Sequence, residues 1–230
     1  MNTDEHRYLG LARRQAQDGL ALSHSRDMVA TSAMVLGLAG DLVGARRLAG
    51  DLAKRFPADT LVQIEYLPMI QGCTGLGVSH GTPGAARAIE ALKVAARYEL
   101  GQINAVYLRG EAYLAAGQGT PAAAEFRKIL DHPGVVTNFV TGELAHLGLG
   151  RAYALAGDNA KARTAYQDFL ALWKDADPDI PVLKQAKAEY ARLAKADPTP
   201  HGDSPSPCGA RRSLRSDWAQ SGAGRQARDW

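Results

Sequence analysis

The sequence predicts an all-α fold: an array of antiparallel helical hairpins, closed by a C-terminal capping helix and followed by a disordered tail. Three observations predict it. Alanine fills 41 of the 230 positions and leucine ranks next, and both are strong helix formers. Two stretches, starting at Ala105 and Ala145, repeat one pattern at a constant offset of 40 residues. From Thr199 the composition turns Gly-, Ser-, Pro- and Arg-rich, and its large apolar residues, Leu214, Trp218 and Trp230, fall at no helical spacing. The chain therefore divides into a helical domain over residues 1–198 and a tail over 199–230.

Residues 5–22 read as a lone helix that pairs with the first hairpin. That hairpin starts near Met28, after Ser25 or Asp27 as a helix cap, with Gly40 at its turn, Ala45 at a small position and Pro57 at its close. Gly40 and Gly117 are 77 residues apart, close to two repeat lengths, so a degenerate second hairpin belongs at about residues 59–98. Its second helix is plain in AARAIEALKVAARYEL. The five glycines of QGCTGLGVSHGTPG predict that its first helix stops near Gly72.

The third and fourth hairpins carry the repeat. Gly110, Tyr113, Gly117, Ala122 and Phe126 match Gly150, Tyr153, Gly157, Ala162 and Tyr166. Gly117 and Gly157 stand where a helix end takes a left-handed residue. Gly110 and Gly150 lack bulk and are expected against small partners, Ala122 or Ala123 and Ala162 in turn, with the aromatic residues filling the space beside each contact. A single hairpin leaves one face unburied, so the units stack. Between them, GVVTNFVTG (134–142) reads as an inserted linker with strand-like composition. After Asp179, a helix with Pro181 in its first turn buries Ile180, Leu183, Tyr190 and Leu193, while Lys184, Lys187, Glu189 and Arg192 face water. Trp173 is expected between this cap and the last hairpin.

Gly110, Tyr113, Gly117, Ala122, Phe126 and Pro133, and again Gly150, Tyr153, Gly157, Ala162 and Tyr166, resemble the tetratricopeptide repeat. The offset of 40 departs from the family's usual length of about 34, and the second unit's proline comes late, at Pro178. The run GRAYALAGDNAKARTAYQDFLALWKDADPDIPVLKQAKAEYARL is similar to the C-terminal repeat region of acidobacterial serine/threonine protein kinases and of related winged-helix regulators. Other parts of that likeness extend it over about residues 10–196. The resemblance implies a sensory or scaffolding segment of a bacterial signalling protein.

Chemistry-bearing motifs are sparse. A net charge of +3 is too small to argue for nucleic acid or an anionic membrane. The tail holds five arginines against three aspartates, enough only for loose, salt-sensitive binding. No apolar run approaches the ~18 residues of a spanning helix and the first residues are polar, so the expected location is cytoplasmic. Kinase catalytic signatures are missing; His24-Ser25-Arg26-Asp27 echoes a catalytic loop but has an extra serine and reads better as a helix start. Gly75-x-Gly77 with Gly81, and Gly117-x-Gly119-x-x-Ala122, echo phosphate and dinucleotide loops, but they follow helices and read as turns. The scattered histidines, His146 among them, make no metal pair, and Cys73 with Cys208 fits no zinc spacing, so neither metal nor cofactor is expected.

What remains is binding to a protein or peptide. In repeat arrays of this kind first helices line a groove. Asn104, Tyr107, Glu111 and Leu114 line it in the third hairpin, and Leu144, Leu147, Arg151 and Leu155 in the fourth. Tyr107 is the expected anchor and Arg151 the fork for a partner carboxylate. Two alternatives stand beside this non-catalytic interaction module: a small hydrolase-type enzyme using Cys73 as nucleophile and His80 as base, and a non-functional truncated remnant.

Overall fold

Helix boundaries follow local side-chain and backbone chemistry. Ser25 accepts a hydrogen bond from the Met28 amide and starts the second helix. Asp41 and Asp158 do the same for the Gly44 and Lys161 amides. At each of three hairpin turns a glycine takes a left-handed conformation: Gly40 (φ 83°), Gly117 (φ 73°) and Gly157 (φ 82°). The hydrogen bonding is the same each time. The glycine amide reaches back three residues, and the next amide reaches back five, as in Asp41 to Leu36, Gln118 to Tyr113 and Asp158 to Tyr153. This pairing satisfies the last carbonyls of one helix and turns the chain into the next.

The computed structural model describes residues 3–77, 82–99, 101, 103–136 and 140–196. The element order is α1 (Thr3–Leu22), α2 (Arg26–Leu38), α3 (Leu42–Arg55), a π turn η1 (Val62–Tyr66) leading into α4 (Leu67–Gly77), then α5 (Thr82–Lys93) and a 3₁₀ turn η2 (Val94–Tyr98). It continues with α6 (Ile103–Ala115), α7 (Gly119–Leu130), α8 (Pro133–Val136), α9 (Thr141–Leu155), α10 (Asn159–Leu172) and α11 (Pro181–Ala196). Among the described residues there is no strand, and the fold is an all-α helical-repeat array. The hairpins are α2–α3, η1/α4–α5, α6–α7 and α9–α10; α1 packs on α2, and α11 on α10. The tail expected from residue 199 lies outside the described residues.

Apolar burial runs through the array as a chain of adjoining cores. Val29, Leu52, Val62 and Ile70 form one, Ile103, Val106, Phe126 and Ile129 another, and Leu147, Tyr166, Phe169 and Leu183 a third. Trp173 stacks on Phe169 at 5.0 Å between α10 and α11, where the sequence places it.

Two expectations are corrected. The first helix of the second hairpin does not stop near Gly72 but runs to Gly77. Its glycines are used for close approach: a Cβ at Gly72 would lie 2.9 Å from the Leu92 side chain, one at Gly75 2.7 Å from the Gly84 carbonyl, and one at Gly77 would collide with the Gly37 carbonyl. Tertiary packing thus overrides low helix propensity. The nearest neighbours of Gly110 and Gly150 are not the expected alanines. Both glycines face the rings of Phe126 and Tyr166, which a Cβ would meet at 2.8 and 3.0 Å. In the inserted linker over 134–142, residues 134–136 belong to the short helix α8 and 141–142 open α9, with 137–139 outside the described residues.

Candidate functional site

Helices α6 and α9 are the first helices of neighbouring hairpins and pack against each other. Their 3.6-residue period brings Tyr107 and Glu111 of α6 toward Arg151 of α9. Tyr107 stands edge-on to Phe126, centroids 5.8 Å apart, so the core fixes its ring. The Glu111 Oε1 atom is buried with no hydrogen-bond partner. Burial lifts the Glu111 carboxyl above the usual carboxylate range, and the Arg151 guanidinium opposes that lift. Burial likewise pushes the Tyr107 hydroxyl up.

Arg151 is already engaged. Its Nε and Nη2 donate to the two oxygens of Glu189 on α11, at 2.9 and 3.0 Å. The Tyr166 hydroxyl donates to the same carboxylate at 3.0 Å. This is a correction on two counts. Glu189 is not a freely solvated surface residue but 29% exposed with its carboxylate on Arg151, and Arg151 is not an open fork for a partner carboxylate, because the capping helix supplies the carboxylate itself. Leu147 is corrected too. It is 1% exposed and packs among Phe169, Leu183 and Tyr166, so it belongs to the core and lines no groove. Asn104, Leu114 and Leu144 are partly exposed, and Leu155 is 48% exposed at the end of α9.

The repeat-motif residues occupy structural positions. Ala122 and Ala162 are fully buried, and Phe126 is clamped between α6 and α9, where Gly110 and Gly148 both abut its ring. Tyr113 and Tyr153 are half-buried at the seams between cores. Tyr153 also accepts a hydrogen bond from Arg127, with Lys161 poised over its ring. Gly148 escapes sequence reasoning because the position 40 residues earlier is Leu108, so no repeat marks it.

Other features lie away from this face. Arg109, with only 4% of its side chain exposed, bonds Glu99 and Glu125 at 2.6 Å each, and Lys128 closes on both acids. This cluster ties η2 to α6 and α7, and no sequence spacing announces it. A cavity of about 620 Å³ opens between α3, α4 and α5, lined by Leu42, Arg46, Thr74 and Arg87. Cys73 is 1% exposed, and burial pushes its thiol up to about 12, so it offers no thiolate near neutral pH. His80, its supposed base, lies outside the described residues. Among the described residues no group of three His, Cys, Asp or Glu side chains could hold a metal ion, and no helix is long and apolar enough to cross a membrane.

Stacked helical hairpins, three of them with a left-handed glycine at the turn, define a helical-repeat protein. Residues 144–176, which cover most of α9, all of α10 and the start of the following loop, match the family model of the tetratricopeptide repeat. Searches among curated proteins and among solved structures return no match.

Proposed function

We propose that this chain is a non-catalytic protein-interaction module, and that the shared face of α6 and α9 receives a segment of a protein partner. The observation that carries the reading is the juxtaposition on that face. Two repeat first helices lie side by side, presenting the partly exposed Tyr107, Glu111, Asn104 and Leu114 together with the exposed Leu155, in a fold whose fourth hairpin matches a repeat family that typically mediates protein–protein contacts. A mixed apolar and polar strip of this kind suits a helix or an extended peptide. Arg151 takes a different part from the one its sequence position suggests: held by Glu189, it sets the wall between α9 and α11 and adds charge near Glu111. The resemblance over residues 10–196 supports placing the module in bacterial signalling, as a regulatory region of a kinase or a transcription regulator.

Affinity capture from the native host tests the reading. Leu155→Asp changes an exposed position on the proposed face, and Val43→Asp changes one that is 80% exposed on α3, the second helix of the first hairpin. Both variants should keep the wild-type melting temperature, because neither side chain is buried. The partner set should be lost with Leu155→Asp and retained with Val43→Asp. Equal capture by both variants would remove the face from the account.

A further inference from the structure

A second site follows from the way α4 is held. Its glycines draw it onto two neighbours. A Cβ at Gly75 would lie 2.7 Å from the Gly84 carbonyl of α5, and one at Gly77 would collide with the Gly37 carbonyl of α2. The glycines of α3 make no such approach to α4: a Cβ at Gly44 would meet Asp41 of its own turn, and one at Gly50 would meet nothing within 4 Å. The cleft between α3 and α5, floored by α4, stays open as a cavity of about 620 Å³. That volume suits a small organic ligand. Its apolar lining is made of short side chains apart from Leu42 of α3: Gly75 of α4, and Ala86 and Ala91 of α5.

The charge of the cleft comes from two arginines. Arg46 stands on the α3 wall and Arg87 on the α5 wall, and both are exposed, so a ligand in the cleft reaches them. Neither guanidinium has an acid as partner among the described residues. The acid of the lining, Glu90, is spent: its Oε1 atom accepts from Lys93 Nζ at 2.6 Å, one turn along the same helix. That pair is neutral as a whole, so the two guanidinium groups remain uncompensated. The Thr74 hydroxyl is also used, donating to the Gln71 carbonyl at 2.9 Å. The free donors of the lining are therefore charged and sit on the two walls, with apolar groups between them.

We propose that this cleft binds a small organic dicarboxylate, one carboxylate on the Arg46 fork, the other on the Arg87 fork, and the hydrocarbon spacer over Gly75, Ala86 and Ala91. A guanidinium donates two parallel hydrogen bonds to a carboxylate, which a lysine in its place would not do. Forks on two walls with an apolar strip between them suit two anionic groups held apart by a carbon chain. Inorganic phosphate is a single compact anion and would leave the apolar strip uncovered, and a monocarboxylate would leave one fork unused. The site is separate from the face of α6 and α9 and stands whether or not that face binds a partner.

Titration of the full chain with succinate, glutarate, adipate and pimelate tests the proposal, read by NMR shifts of the amides of Gly75 and residues 86–91. Hexanoate, inorganic phosphate and a capped Glu-Ala-Glu peptide serve as comparators at constant ionic strength. At least one dicarboxylate should give saturable shifts and bind at least about tenfold more tightly than hexanoate or phosphate. Arg46→Gln and Arg87→Gln should each weaken that dicarboxylate by at least about tenfold, as expected when a charged donor is made neutral. Arg47→Gln removes the same charge from an exposed position of α3 outside the lining and should leave binding unchanged. All three variants should keep the wild-type melting temperature, because each side chain is exposed. Four results would overturn the proposal: no dicarboxylate shifts these amides at millimolar concentration, phosphate binds as tightly as the dicarboxylates, loss of either lining arginine leaves binding unchanged, or the peptide binds more tightly than every free dicarboxylate, which would make the cleft a peptide-docking surface.

Discussion

Phe126 sits between two glycines, Gly110 of its own hairpin and Gly148 of the next. A methyl group at Gly148 would fall 2.5 Å from the ring, so Gly148→Ala must move a fully buried aromatic that joins two units. The expected cost is about 1–3 kcal/mol in urea denaturation. Gly50, inside α3, is the opposite case, since a methyl group there would meet nothing within 4 Å. Gly50→Ala should stabilise by about 0.5–1 kcal/mol, because only backbone entropy changes. The repeat offset made Gly110 and Gly150 legible as close-contact positions. It assigned them the wrong partner, since a small residue in one helix is as well explained by a large neighbour as by a small one. Gly148 was illegible because its contact crosses between units and has no counterpart at Leu108.

At the scale of the element, α11 is held to the array by its apolar stripe and by the fork of Arg151 on Glu189. A double-mutant cycle with Arg151→Met and Glu189→Gln should return a coupling of about 0.5–3 kcal/mol, and a coupling near zero would mean that the apolar stripe alone docks the cap. Glu111 lies beside Tyr107, Arg151 and Glu189. Its carboxyl is raised in the folded state, so its contribution to stability is fully present below the ordinary carboxylate value and is lost as pH rises through the raised one. Glu111→Gln should therefore flatten the decline of unfolding free energy between about pH 4 and 7, measured from urea midpoints. The amphipathic period of α11 and the turn glycines of the hairpins were readable from sequence, because a 3.6-residue stripe and a left-handed glycine are local signals. The length of α4 was not, because its glycines serve packing against α2 and α5 rather than chain reversal.

Over the whole molecule, the hairpin array arises from a local rule applied at Gly40, Gly117 and Gly157 and from large side chains that bridge successive units. The predicted groove follows the same rule only in part. First-helix positions were identified from the period, but which of them remain open depends on the next element: α11 claims Arg151, and the α10–α11 core claims Leu147. Asn104, Tyr107, Glu111, Leu114 and Leu155 remain as the surface on which the interaction reading rests. Site-specific photo-crosslinking in the native host tests that reading most directly, with the crosslinking side chain placed at Leu155 in one variant and at Val43 in another, both exposed. The account predicts a discrete crosslinked protein partner from position 155 and none from position 43. Crosslinks from position 43 alone, or from neither position, would contradict it.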